Sequence, residues 1–158
     1  MAHAYLGLGG NVGDSRAFFK AAIEKLKAHG TVDAVSSLYR TEPVDSKDQE
    51  WFLNCALIFE TERAPEQVLV QIKKIEKELG RTPSHRNGPR EIDIDILLYD
   101  DVIMHTDTLT IPHPRMHERR FVLAPLADIA LHVRHPILNK TVAELLHGLV
   151  DSSIVRRV

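Results

Sequence analysis

The chain has little cysteine. Cys55 is its single thiol among 158 residues, which excludes an intrachain disulfide and a cysteine-built zinc centre. It sits in the apolar run Cys55-Ala56-Leu57-Ile58-Phe59, where a thiol packs as a small hydrophobe rather than acting as a nucleophile. Neither sign of charge is in excess: the net charge is -2 and the pI is near 6.5. The global basic field that general nucleic-acid binding requires is therefore missing. No apolar run approaches the ~20 residues of a membrane span. The start, Met1-Ala2-His3-Ala4-Tyr5-Leu6, lacks the basic region and long apolar core of a signal peptide. A cytoplasmic location is the resulting expectation. Internal repeats, low-complexity tracts and linker-like stretches are absent too, so residues 1–158 read as one domain. With 44% hydrophobic and 27% charged residues, it has the composition of an ordinary globular protein large enough for a core.

What is present centres on Gly88-Pro89-Arg90-Glu91-Ile92-Asp93-Ile94-Asp95-Ile96-Leu97-Leu98-Tyr99. Ile92, Ile94 and Ile96 share one parity and Asp93 and Asp95 the other. In a strand, residues i and i+2 leave from the same face, so the isoleucines can enter a core while both carboxylates enter one pocket. Two carboxylates about 7 Å apart along a strand repel unless something positive lies between them. A hard divalent cation with oxygen ligands, such as Mg²⁺, is the simplest occupant. The plainer reading is a half-buried strand with a solvated polar face. Two features weigh against it. Val, Thr or Lys fills such a face at less cost than two Asp, and Arg81, Arg86 and Arg90 gather positive charge beside the carboxylates. Carboxylates with arginines point to a metal–phosphate site.

Around this stretch the periodicities give an ordered set of elements. Residues 3–8 read as a buried strand, and Gly9-Gly10-Asn11-Val12-Gly13-Asp14 as a flexible turn with Asp14 as N-cap. Its glycines fit neither phosphate-loop spacing. Phe18, Phe19, Ala22, Ile23 and Leu26 recur at helical spacing, with Gly30 placed as a C-terminal cap. Residues 32–40 and 52–61 read as strands joined by a polar loop, 41–50. Asn54 is unusual in a strand. Its amide offers donors and an acceptor to a planar heterocycle, or equally to neighbouring backbone. Pro65 opens a second helix on Val68, Leu69, Ile72, Ile75 and Leu79, closed by Gly80, with Glu76 and Lys77 on a solvated face. The loop 81–90 follows, then the aspartate strand, a short strand over 108–112, a helix over 121–129 and a last amphipathic segment over 141–150. The order β–α–β–β–α–β predicts an α+β, ferredoxin-like core: an antiparallel sheet with helices on one face, plus C-terminal additions. The other face is then open for a site.

Taken together, Leu8-Gly9-Gly10-Asn11-Val12-Gly13, Ser37-Leu38-Tyr39-Arg40-Thr41, Phe52-Leu53-Asn54, Gly80-Arg81, Gly88-Pro89-Arg90 with Asp93-x-Asp95, and Ile111-Pro112-His113 through Arg119-x-Phe121 resemble the 6-hydroxymethyl-7,8-dihydropterin pyrophosphokinases of folate synthesis. The resemblance runs from about Tyr5 to Ile129. It implies transfer of pyrophosphate from ATP to the pterin hydroxymethyl group, with AMP released. It implies two Mg²⁺ ions on Asp93 and Asp95, and Arg81 and Arg90 neutralising phosphoryl charge. Glu76, Arg86, His113 and Arg119 would be further ATP contacts. Thr41, Val44, Phe52, Asn54 and Phe121 would hold the pterin, the two phenylalanines as a sandwich. ATP and the dihydropterin are the implied partners, with no nucleic acid, membrane or obligate protein partner. Three positions depart from the family pattern: Asn87 stands where many members carry Trp, Pro83 where others carry Arg, and Pro114 where some carry Tyr.

Two other classes compete. A ferredoxin-like RNA-binding module needs exposed aromatics and basic residues on its sheet, whereas this sheet offers two aspartates. A metal-dependent phosphohydrolase would consume ATP without pterin and release orthophosphate.

Overall fold

The computed structural model describes residues 1–43, 50–80, 91–151 and 153–158. Its elements run β1 (Ala2–Gly10), α1 (Ser15–Leu26), β2 (Thr31–Val35), β3 (Tyr39–Thr41), β4 (Phe52–Thr61), α2 (Pro65–Glu78), β5 (Asp93–Tyr99), β6 (Met104–His105), β7 (Thr110–Ile111), α3 (Arg120–Ala130), α4 (Val142–His147) and β8 (Val155–Arg157). One mixed α/β layer structure results. The main sheet has the order β5-β1-β4-β3-β8, with β2 also paired to β4, and each pairing is antiparallel. The short β6–β7 hairpin stands apart. The strand expected over 32–40 is two segments, β2 and β3, that share β4 as partner.

The helix ends follow local chemistry. Asp14 caps α1, its carboxylate accepting from the Ala17 amide at 3.1 Å. Pro65 occupies the first turn of α2, where its missing N–H costs nothing, and the Gln67 side chain accepts from the Ala64 amide at 2.9 Å. Gly80 follows α2 in the left-handed region, φ 85°. Gly30 does not cap α1, because that helix ends at Leu26. A Cβ there would lie 2.4 Å from the Glu60 carbonyl oxygen, so close packing of chains sets that position.

The sheet's first face is sealed by α1 and α2. Leu6 and Leu8 from β1, Leu57 and Phe59 from β4, and Ile94 and Ile96 from β5, with Ile92 just before it, pack against Phe19, Ala22, Leu26, Val68, Ile72 and Ile75. The isoleucine parity is thus the core parity. At Leu97 the register of β5 against β1 slips: Ile96 pairs with Leu6 but Leu98 pairs with Tyr5. This bulge turns both Leu97 and Leu98 to the second face and returns Tyr99 to the first.

The two core helices stay on the first face as expected, but the second face is not free throughout, because the C-terminal helices cover part of it. Leu123, Leu126 and Ala130 of α3, with Val142 and Leu145 of α4 and Met116, bury Ala56, Leu97 and Leu98 there. The apolar stripe of α3 has no room in the filled first face, so it takes the far end of the second. What remains is a cleft beside the start of α3.

Candidate active site

The cleft is floored by three neighbouring strands. Gly9 of β1 is the register partner of Asn54 on β4 and of Asp93 on β5; Gly7 likewise stands between Ala56 and Asp95. Asn54 and Asp93 are therefore two strand spacings apart, about 10 Å, with a glycine between them. The glycines are what keep this floor low. A Cβ on Gly9 would sit 2.7 Å from the Asn54 side-chain oxygen, and one on Gly10 would sit 2.5 Å from the Glu91 carbonyl oxygen. Gly9 and Gly10, expected in the turn, thus end the strand and act through close approach, while the turn itself runs from Asn11 to Asp14 with Gly13 at φ 73°.

One wall carries the carboxylates. Asp93 and Asp95 both line the cleft, on the face opposite the isoleucines. Burial, the Asp93 carboxylate and Glu76 together push the Asp95 carboxyl above its ordinary 3.8. A cation between them would relieve that repulsion, and an all-oxygen donor pair suits Mg²⁺. Glu76 does not sit on a solvated face. It is 2% exposed, and its carboxylate accepts from the Ile94 amide at 2.7 Å, between the two aspartates in sequence. Lys73 lies 3.3 Å from its other oxygen. Glu76 thereby anchors the strand that carries both carboxylates.

The opposite wall is built for a flat, polar-edged molecule. Asn54 and Thr41 are both buried. The Asn54 amide donates to the Thr41 hydroxyl at 2.7 Å, which fixes the amide's orientation and leaves the threonine proton as a donor. Phe52 and Phe121 line the same cleft, as do Glu42, Leu97 and Val122. Arg119 reaches in from the start of α3, its guanidinium carbon 5.4 Å from the centre of the Phe121 ring. Cys55 contributes no nucleophile: burial pushes its thiol up to about 12.

Among the described residues the lining includes neither Glu76 nor His113. His113 is half-buried beside it, its amide donating to the Leu97 carbonyl at 2.9 Å. Burial and the charge of Arg119 lower it to about 4, so it is neutral at physiological pH. Its Nδ1 accepts from the Arg115 amide at 3.2 Å, which leaves the proton on Nε2. Val44, Arg81, Arg86 and Arg90, with Pro83 and Asn87, lie outside the described residues.

A family model for 7,8-dihydro-6-hydroxymethylpterin-pyrophosphokinase (HPPK) matches residues 5–131. The chain belongs to this family. An HPPK of Aquifex aeolicus is 44% identical over 144 residues, covering 91% of this chain and 90% of that protein. One of Bacillus subtilis is 47% identical over 132 residues, covering 82% and 79%. Both bear the name 2-amino-4-hydroxy-6-hydroxymethyldihydropteridine pyrophosphokinase. The crystal structure of Plasmodium falciparum HPPK-DHPS has the same fold, with a TM-score of 0.70 at 19% identity over 93% of this chain. This chain spans 43% of that longer protein.

The structure brings together Thr41, Phe52, Asn54, Asp93, Asp95, Arg119 and Phe121 in one HPPK cleft. Gly7, Gly9, Glu42 and Leu97 also line it but were missed from sequence. The glycines had a usable signal: Gly7 and Gly9 share one parity of a strand whose other parity is Leu6 and Leu8.

Proposed function

We propose that this HPPK transfers the terminal pyrophosphoryl group of ATP to 6-hydroxymethyl-7,8-dihydropterin. The observation that carries the proposal is that one cleft has a buried amide and hydroxyl on one side, Asn54 and Thr41, and two carboxylates on the other, Asp93 and Asp95. The pterin edge would take the free hydrogen-bonding capacity of Asn54 and Thr41. Phe52 and Phe121 would hold its ring, offset stacking adding roughly 0.5–1.5 kcal/mol to the area buried. The hydroxymethyl group would then face the aspartate wall.

The substrate oxygen forms a bond to the β-phosphorus. The bond from that phosphorus to the bridging oxygen of the α-phosphate breaks, AMP leaves, and the hydroxyl proton passes to solvent. Asp93 and Asp95 would hold two Mg²⁺ ions, which supply positive charge to the triphosphate. Arg119 would neutralise phosphoryl charge from the α3 side, and the neutral His113 would donate from Nε2. Glu76 would act by holding β5 rather than by touching ATP. Arg81, Arg86 and Arg90 keep the phosphate-binding role that the resemblance implies, and Val44 its pterin contact. Little else is asked of the protein, because such transfer rests on positioning and electrostatics.

We also read the βαββαβ core as ferredoxin-like, residues 1–158 as one catalytic domain, and the setting as cytoplasmic. The first reading is supported by the sheet order. No helix among the described residues is long and apolar enough to cross a membrane.

Incubation with ATP, Mg²⁺ and hydroxymethyldihydropterin, followed by chromatography of the nucleotides, tests the function. AMP formed only when pterin is present supports it. ADP as product, or ATP loss without pterin, would sink it.

A further inference from the structure

Resting on the reading of the cleft as a pterin site, we propose that Asp151 and residues 153–157 form a positioning strap that sets the width of that site by tying its two pterin walls together. The walls come from different parts of the chain. One is the first turn of α3, which presents Phe121 and Val122; the other is β3 and the residue after it, which present Thr41 and Glu42.

The strap holds both. α3 begins without a side-chain cap of its own. Asp151 supplies one from outside: its carboxylate accepts from the Arg120 amide at 3.0 Å, while the Arg120 guanidinium donates twice to the Asp151 carbonyl oxygen at 3.1 and 3.3 Å. Arg120 stands between two residues of the cleft, Arg119 and Phe121. The same carboxylate fixes the strap's own turn by accepting from the Ser153 amide and hydroxyl, both at 2.9 Å.

Three residues after Asp151, the strap grips the other wall. The Ile154 amide donates to the Glu42 carboxylate at 2.9 Å, and the Glu42 amide donates to the Ile154 carbonyl at 3.2 Å. β8 then pairs with β3, Val155 against Thr41 and Arg157 against Tyr39. Arg157 also meets Asp128 of α3 at 2.9 Å, and the Tyr39 hydroxyl donates to the same carboxylate at 2.8 Å. At that end α3 and β3 touch directly. At the pterin end the link runs through Asp151 and Ile154. The strap lies beyond residue 131, where the match to the family model ends.

Asp151 bonds to Arg120 and Ser153, neither of which lines the cleft, so it acts on pterin through Arg120 and, along the strap, through Glu42. The test is steady-state kinetics of Asp151→Ala, Asp151→Asn and a control, Glu144→Ala, which removes the capping box of α4. For Asp151→Ala we expect KM for pterin to rise roughly tenfold and KM for ATP to rise clearly less, because Phe121 and Glu42 are both tied to the strap whereas β5, with the aspartate wall, lies three strands away from β3 in the sheet. Asp151→Asn keeps an acceptor and should recover most of the loss. Glu144→Ala should lower the melting temperature with both KM values unchanged. Amide exchange at Arg120 to Leu123 should accelerate in Asp151→Ala alone, a readout independent of turnover. An unchanged pterin KM in Asp151→Ala, or an equal rise in both KM values, would overturn the strap while leaving the site reading intact. If the wild-type chain itself forms no pterin-dependent AMP, both fall.

Discussion

The two faces of the sheet are built from the same strands and do opposite things. On the first face the inward positions are mostly apolar and filled, from Leu6 and Leu57 to Ile94, packed against helix residues such as Ile72. On the second, the neighbours of those residues are Gly7, Gly9, Asn54, Asp93 and Asp95, and a cleft is left. Strand alternation lets one stretch serve both purposes, so that a residue's parity decides whether it works for stability or for chemistry. The two faces should therefore respond to substitution in separable ways.

The largest effect is expected at the aspartate wall. Asp95→Ala and Asp93→Ala should each cut turnover by roughly a hundredfold or more while the fold survives, because phosphate charge loses its cation ligand. Wild-type rates in both variants would remove the metal assignment. Relief of carboxylate repulsion should leave the melting temperature of Asp95→Ala at or above that of the wild type.

The first face should show the reverse. Ile72 is fully buried beneath the sheet, and Ile72→Ala should cost about 2–5 kcal/mol in denaturant unfolding. Turnover per folded molecule should stay unchanged. A fall in turnover as large as that of Asp95→Ala would erase the distinction between the faces.

Within the cleft the two walls can be separated in turn. Asn54→Ala should weaken pterin binding by about 1–3 kcal/mol, because hydrogen bonds to the ring edge are lost, and leave ATP binding nearly untouched. Equal weakening of both ligands in calorimetry would remove Asn54 from the pterin wall. Gly9→Ala should mimic it, since the new methyl group would push the Asn54 amide aside.

The smallest effect is one of pH. The raised Asp95 carboxyl carries a penalty that is absent below its ordinary value near 3.8 and grows as pH rises past it. His113, lowered to about 4, has the opposite trend: its contribution is present above its ordinary 6.5 and is lost as pH falls toward 4. Comparison with and without Mg²⁺ at each pH cancels the histidine. The cation should raise the melting temperature more at about pH 8 than at about pH 5.5, where protons compete for the same oxygens. An equal shift at both would place the cation elsewhere.

Much of this division was legible in the residues. The isoleucine–aspartate alternation marks both faces of β5, and Asn54 is conspicuous in a strand. Three features were not legible, each for a physical reason. The bulge at Leu97 reverses parity inside an unbroken apolar run, so Leu98 resembles a first-face residue and is not one. Glu76 looks like a solvated helical glutamate because its partner, the Ile94 amide, is backbone and lies 18 residues away. The strap depends on Asp151 and Ile154 meeting residues 31 and 112 positions earlier, contacts that leave no local pattern.

A crystal structure of the chain with Mg²⁺, a non-hydrolysable ATP analogue and hydroxymethyldihydropterin addresses the division within the cleft directly. The expected result is pterin against Asn54 and Thr41, between Phe52 and Phe121, with the triphosphate at Asp93 and Asp95 and the hydroxymethyl oxygen facing the β-phosphorus. A triphosphate bound away from both aspartates, or a pterin outside the Asn54 wall, would contradict it.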